Sequence, residues 1–225
     1  MLNKYKTAGW LVAALTTLGS ACNPPAPDES DYITLLFEDR ALKDEFYGSD
    51  PESPVPLDRR SWMVPLRYYE LDLTYRVPAQ LNIAEDQPIF DIPTSTGLTR
   101  PYQRVGRLEF MLNGETRTLA ALVELPAQTV DRLFVPFRDE TSGTETYSAG
   151  RYLDLYRSQT GVYNLDFNRA YHPDCYFNEE YDCPFPPPEN RLRTAVRAGE
   201  MLPPENERRI PLTNDVELPP ESSKP

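Results

Sequence analysis

Leu108, Phe110 and Leu112 recur at a two-residue period, Asn113-Gly114 follows, and Leu119, Ala121 and Val123 resume the same period. Side chains two apart along an extended chain share one face. Asn-Gly readily takes the left-handed backbone that a two-residue hairpin loop requires. The stretch therefore predicts a β-hairpin with one apolar face. An isolated hairpin is marginal in water, so the rest of the chain must supply neighbours for it. Candidates are Leu66–Leu71, Tyr75–Val77, Pro88–Ile92, Arg132–Phe137, Tyr152–Tyr156, Val162–Phe167 and Arg191–Arg197, all short and most of them aromatic or β-branched. Tyr152–Tyr156 and Val162–Phe167 are expected to pair across the turn-forming residues 158–161.

About eight short strands separated by turns argue for a single mainly-β domain, an antiparallel sandwich or small barrel. Ahead of them, Ile33, Leu36, Phe37 and Ala41 fall on one face at helical spacing. They predict an N-terminal α-helix packed on the sheet, capped at Ser30 or Asp31 and stopped near Gly48. Residues 49–57 hold three prolines and read as a loop.

The chain's 225 residues suit one domain, and 40% hydrophobic content with 14 tyrosines is enough for a core. Its 24 prolines exceed the usual share of about 5%, so loops and tails must be long. A formal charge of -12 repels phosphate backbones, which excludes nucleic acid as a natural partner. No glycine-rich loop is present to cradle a phosphate, and no cofactor is expected.

Lys4 and Lys6 precede an apolar run, Ala8 to Leu18, that is too short to span a bilayer. Gly19, Ser20 and Ala21 follow, then Cys22. This order looks like a bacterial lipoprotein leader cleaved before Cys22, although the leucine usually found three residues before the cysteine is here Gly19, with Leu18 one place further back. An ordinary secretory peptide is the alternative. The organisation expected is a signal peptide over 1–21, a stiff proline-rich tether over 22–30, a β domain over 31–202 and a disordered tail over 203–225. The protein is then held to a membrane through lipid on Cys22 and faces the periplasm or exterior.

The polar residues concentrate between Tyr147 and Glu200, which also contains the only histidine, His172, and two of the three cysteines. Arg151, Asp166, Asn168, Arg169 and Asn190 are the candidate ligand-binding residues, because guanidinium forks and amides bind carboxylates, phosphates and small polar ligands. The same residues equally suit an internal network. Tyr152, Tyr171 and neighbouring aromatics are candidates for a binding groove or for the rim of the core. Cys175 and Cys183 in an exported chain predict a disulfide closing a short loop, worth about 2–3 kcal/mol. A metal site from His172, Cys175, Cys183 and Asp174 or Asp182 is the sharper alternative; free thiols are the third. Asp154 and Asp166, expected on neighbouring strands, and Glu189 are the candidate paired carboxylates. A hydrolase using Asp166 or Glu189 as acid or base stands beside the binding reading, as does a structural surface protein without a pocket.

Asp166-Phe167-Asn168-Arg169, Cys183-Pro184 and Glu189-Asn190-Arg191-Leu192, with Arg104-Val105-Gly106, Gly150-Arg151-Tyr152 and Gly199-Glu200, resemble the family called domain of unknown function 1684 over roughly residues 31 to 202. The resemblance implies no established activity. His172 departs from it, since asparagine is expected before Pro173, so a site built on His172 would be particular to this chain.

Overall fold

The computed structural model describes residues 29–126, 132–156 and 159–208. Seven strands form one antiparallel sheet: β1 (Arg76–Ile83), β2 (Ile89–Pro93), β3 (Thr99–Leu112), β4 (Glu115–Glu124), β5 (Arg132–Phe137), β6 (Arg151–Tyr156) and β7 (Val162–Asp166). Their order is β6-β5-β4-β3-β1-β7, with β2 paired to the first part of β3. The sheet curls until it is nearly a barrel, which is the second of the two expected forms. Cys22 and most of the tail lie outside the described residues.

The hairpin forms as the alternation requires. Asn113 and Gly114 have φ of 52° and 78°, and Leu112 faces Glu115 across the turn. Leu108, Phe110, Leu112, Leu119, Ala121 and Val123 all enter the interior core with Leu133, Val135, Phe137, Leu153 and Leu165. Each large side chain of this kind contributes about 1.5–3 kcal/mol of burial before conformational costs.

A β-bulge then turns part of the sheet over. Between Arg104 and Gly106 the register of β3 slips by one against β4, so Tyr102 pairs with Glu124 while Leu108 pairs with Leu119. Tyr102 consequently leaves the interior and joins Ile92, Ala120, Leu122, Phe90 and Phe134 in a second apolar cluster on the outer face. Gly106 is required there: a Cβ would stand 2.3 Å from the carbonyl oxygen of Asn82.

Three strand expectations need correction. β6 and β7 are the two ends of the sheet and do not pair as a ladder; β7 pairs with β1 and β6 with β5. The outer edge of β6 is met instead by Tyr171, which exchanges both backbone hydrogen bonds with Tyr152. Residues 66–71 and 191–197 make only isolated bridges, Tyr68 with Glu200 and Arg138 with Arg191. Their backbone groups are met by scattered backbone partners such as Gly199 and Arg138 and by the side chains of Asp44, Asp139 and Arg151, in place of a ladder.

α1 (Ser30–Ser49) packs on the sheet's covering segments, but only the Ile33 and Leu36 side of the expected face turns inward. Phe37 is 51% exposed, while Leu36 and Tyr47 are buried. Between them the docking is polar: Tyr32 donates to Asp166, Arg40 to the carbonyl of Asn168, and Lys43 to Glu200, while Asp44 accepts from the amide of Leu66. A second helix, α2 (Leu57–Met63), follows Pro56 and joins α3 (Asp174–Phe177) and Tyr47 in a small apolar cluster. The ordered domain extends past 202, because Leu202 is buried and Arg208 donates to the carbonyl of Thr144 at 2.6 Å.

Candidate functional site

The polar residues singled out in the sequence are drawn into the frame. Arg151, 1% exposed, donates to the carbonyls of Val196 (2.7 Å), Ala198 and Glu200 (3.0 Å) and to Asp139 (3.3 Å). Asp139 in turn accepts from the Val196 amide and from the hydroxyls of Thr141 and Ser142. Burial pushes the Arg151 guanidinium below its ordinary range, with Asp139 opposing the shift. The pair clamps the extended 191–200 segment over one end of the barrel.

Asn190 does similar work between β4 and β5. These strands share one register pair, Leu122 with Phe134, and the next position on β5 to face β4 is Pro136, which has no N–H to give. The Asn190 amide inserts there, donating to the carbonyls of Ala120 (3.0 Å) and Pro136 (2.7 Å) and accepting from the Ala120 amide (2.6 Å). Asn168 repeats the device, donating to the carbonyl and accepting from the amide of Asp72. Asp166 caps the turn at Phe167–Arg169 by accepting from the Asn168 amide, and it also accepts from Tyr32. Arg169, 42% exposed, pairs with Asp39 at 2.7 Å and Asp166 at 3.4 Å. Arg151 and Asn190 therefore stand apart from Asp166 and Arg169, which border a groove beside β7.

His172 is buried. Its Nε2 accepts from the Tyr147 amide at 3.3 Å and its backbone amide donates to Glu200. Desolvation, with Arg151 and Lys43 nearby, drives its pKa well below the ordinary value, so the ring is neutral. Cys175 and Cys183 are neighbouring buried thiols, and the Cys175 amide donates to the Cys183 sulfur at 3.1 Å. The hydrogen bond between the thiols pushes Cys175 up and holds Cys183 down. Among the described residues no group of three or more His, Cys, Asp and Glu is placed to hold a metal ion.

The cysteine-bearing arm does fold back over the sheet. Pro184 bridges Thr94, the Tyr152 hydroxyl donates to the Pro184 carbonyl, and Arg100 of β3 holds Asp182 at 2.9 Å. Between this arm and the outer face of β3–β6 lies a cleft of about 290 Å³. Its floor follows strand pairing, because Tyr102 faces Glu124, Leu122 faces Phe134, and Phe134 faces Asp154. Leu153 and Leu155 point inward, so Tyr152 and Asp154 alternate outward into it. The far wall is Tyr171, Pro173, Asp174 and Asp182.

The rings form a continuous ladder. Tyr102 stacks on Phe134 at 5.8 Å between centroids, Phe134 meets Tyr152 edge-on at 4.7 Å, and Tyr152 meets Tyr171 edge-on at 5.8 Å. Asp154 is the polar centre. Its Oδ2 accepts from the Tyr171 hydroxyl at 2.8 Å and from Arg132 at 3.5 Å, whereas Oδ1 is shielded from solvent and has no hydrogen-bond partner. Burial raises the Asp174 carboxyl. Burial acts the same way on Asp182, but bonds from Thr94, Thr96 and Arg100 outweigh it and hold that carboxyl low.

Sequence reasoning named Tyr152, Asp154, Tyr171 and Asp174 but did not join them, and it missed Tyr102, Glu124 and Phe134. The outward parity of β5 and β6 was readable from their inward leucines and valine. Tyr102 was hidden by the bulge. Of the carboxylates considered for acid–base work, Asp154 and Asp166 both line the groove beside β7, where Asp166 is engaged as above, while Glu189 lies outside the described clefts and is held by Arg104 at 2.6 Å.

A family model described as a protein of unknown function, DUF1684, matches residues 64–201. The solution NMR structure of an uncharacterised protein of Haloarcula marismortui is 39% identical in sequence. The match covers 78% of this chain and 96% of that one, with a TM-score of 0.63. No curated protein matches the chain.

Proposed function

The chain belongs to the DUF1684 family of proteins of unknown function, and we propose that it is an exported, lipid-anchored binding protein that holds a small ligand in the cleft beneath the cysteine-bearing arm. The observation that carries this reading is the open cleft itself, floored by the Tyr102, Phe134, Tyr152 and Tyr171 rings and lined by the carboxylate of Asp154. This moves the site away from the Arg151, Asn168 and Asn190 positions, whose hydrogen bonds go to backbone groups and to the internal carboxylates of Asp139 and Asp166.

Export and anchoring rest on the apolar run from Ala8 to Leu18 that closes on Cys22. Among the described residues no helix is long and apolar enough to cross a membrane. In an oxidising compartment the adjacent Cys175 and Cys183 would close into a disulfide and fix the arm that walls the cleft. The test is native mass spectrometry of the full-length protein, released in mild detergent from the cells that make it. A small-molecule adduct that disappears in Phe134→Trp, which fills the cleft, is the expected result. Adduct-free spectra, together with no thermal stabilisation by any compound in a small-metabolite panel, would overturn the reading.

A further inference from the structure

The cleft's chemistry narrows what it takes. Four carboxylates line it, those of Glu124, Asp154, Asp174 and Asp182, against two guanidiniums, those of Arg100 and Arg132. Arg100 is already committed to Asp182 and Glu124. Arg132 sits on the rim with its side chain 61% exposed and reaches only Oδ2 of Asp154. The hydroxyls of the tyrosine ladder are also spent, with Tyr102 donating to Glu124, Tyr152 to the Pro184 carbonyl and Tyr171 to Asp154. What the cleft offers a guest is therefore acceptors and ring faces, with few uncommitted donors. An anionic guest would meet carboxylates, and a sugar would find acceptors without matching donors.

We infer that the ligand is a small organic amine in its protonated form, with its ammonium set against the exposed part of the Asp154 carboxylate and the aliphatic body laid along Phe134 and Tyr171. Both of those rings line the cleft and are half-buried. Aromatic faces attract cations through their quadrupole, more strongly once water is displaced. A hydrogen bond between charged partners is about twice as strong as one between neutral groups. The volume, about 290 Å³, lies at the small end of known ligand clefts and suits a short aliphatic amine.

This inference rests on the binding reading above and is tested so that the two fail separately. The full-length protein in detergent is titrated calorimetrically with cadaverine, pentanediol and glutarate, which share one carbon skeleton and differ in end-group charge. Cadaverine is expected to bind at least tenfold more tightly than pentanediol, and glutarate not to bind. Asp154→Asn, which keeps the shape and an acceptor for Tyr171, is expected to weaken cadaverine about 10- to 100-fold. Equal affinity for cadaverine and pentanediol, preference for glutarate, or an unchanged cadaverine affinity in Asp154→Asn would each overturn the amine assignment while leaving a ligand site in place. If Asp154→Asn fails to fold, the comparison of the three probes on the unsubstituted protein decides alone. No binding of any probe, with no adduct in native spectra, would overturn both readings.

Discussion

The guanidinium of Arg151 and the carboxylate of Asp139 meet at 3.3 Å where both side chains are only 1% exposed. Breaking a buried pair leaves an uncompensated charge and costs about 3–5 kcal/mol. Arg151 also holds three carbonyls of the 196–200 segment, a span that a lysine ammonium cannot cover. Arg151→Met, which removes both the charge and the span, is therefore expected to lower the unfolding free energy by about 3–5 kcal/mol in urea denaturation. A loss below about 1 kcal/mol, the level of an exposed ion pair, would show that the clamp is not needed.

Asn190 replaces ladder bonds that Pro136 withholds. Asn190→Ala removes three hydrogen bonds and strands buried carbonyls, at a net cost of about 2–4 kcal/mol. The expected readout is a lower thermal midpoint with faster amide exchange at Ala120, the residue whose N–H the side chain accepts. Unchanged protection at Ala120 would contradict the assignment.

Gly106→Ala tests the bulge. The added methyl overlaps the Asn82 carbonyl, so β1 must move away from β3 or the bulge must shift. We expect a loss of about 2–4 kcal/mol, in the range of overpacked or strained sites, and perturbed resonances at Tyr102. A fully stable variant with Tyr102 unmoved would mean that the register does not depend on this glycine.

His172 gives the fold a defined acid sensitivity. Its folded-state pKa lies well below the ordinary value near 6.5, so the unfolded chain takes up a proton that the folded one refuses. Stability is then unaffected above about pH 7 and falls as pH drops below about 6.5, by at most 1.4 kcal/mol per unit. The low-shifted carboxylates Glu145, Glu179 and Asp182 act in a lower window, below their usual range near 4. Raised Asp174 works in the opposite sense, binding its proton earlier in the folded state. His172→Asn should flatten the stability profile between pH 6.5 and 5, measured by urea midpoints. An unaltered slope would place the acid sensitivity elsewhere.

The cysteine pair predicts a dependence on reductant. The disulfide proposed for the exported protein should add about 2–3 kcal/mol, lost on reduction and absent from Cys183→Ser. Identical denaturation curves with and without reductant would mean that the thiols stay open.

The hairpin was legible because alternation and Asn-Gly are local signals. The face by which α1 docks was not, because Arg40, Lys43 and Asp44 are solvent-like residues until distant partners such as Glu200 and the Leu66 amide reach them. The same gap explains the candidate site. Asn168, Asn190 and Arg151 announced polar work, but their types cannot reveal whether the groups they serve belong to a ligand or to backbone that lacks a ladder. Pro136 was the available hint, since a proline within a strand leaves a carbonyl looking for a donor. Asp154 was named beside Asp166 as one of a carboxylate pair on neighbouring strands; folding sets them on the sheet's two terminal strands, yet both line the groove beside β7.

β1 lies between β3 and β7, with Arg76 facing Asp166. A polypeptide emerging from its N-terminus must therefore hold β1 half-dressed until most of its length is out. No shorter fragment has the means to finish the sheet, so nascent chains ending before β7 stay open and soft. Under the export proposed above, that delay would keep the chain threadable until the last strand arrives.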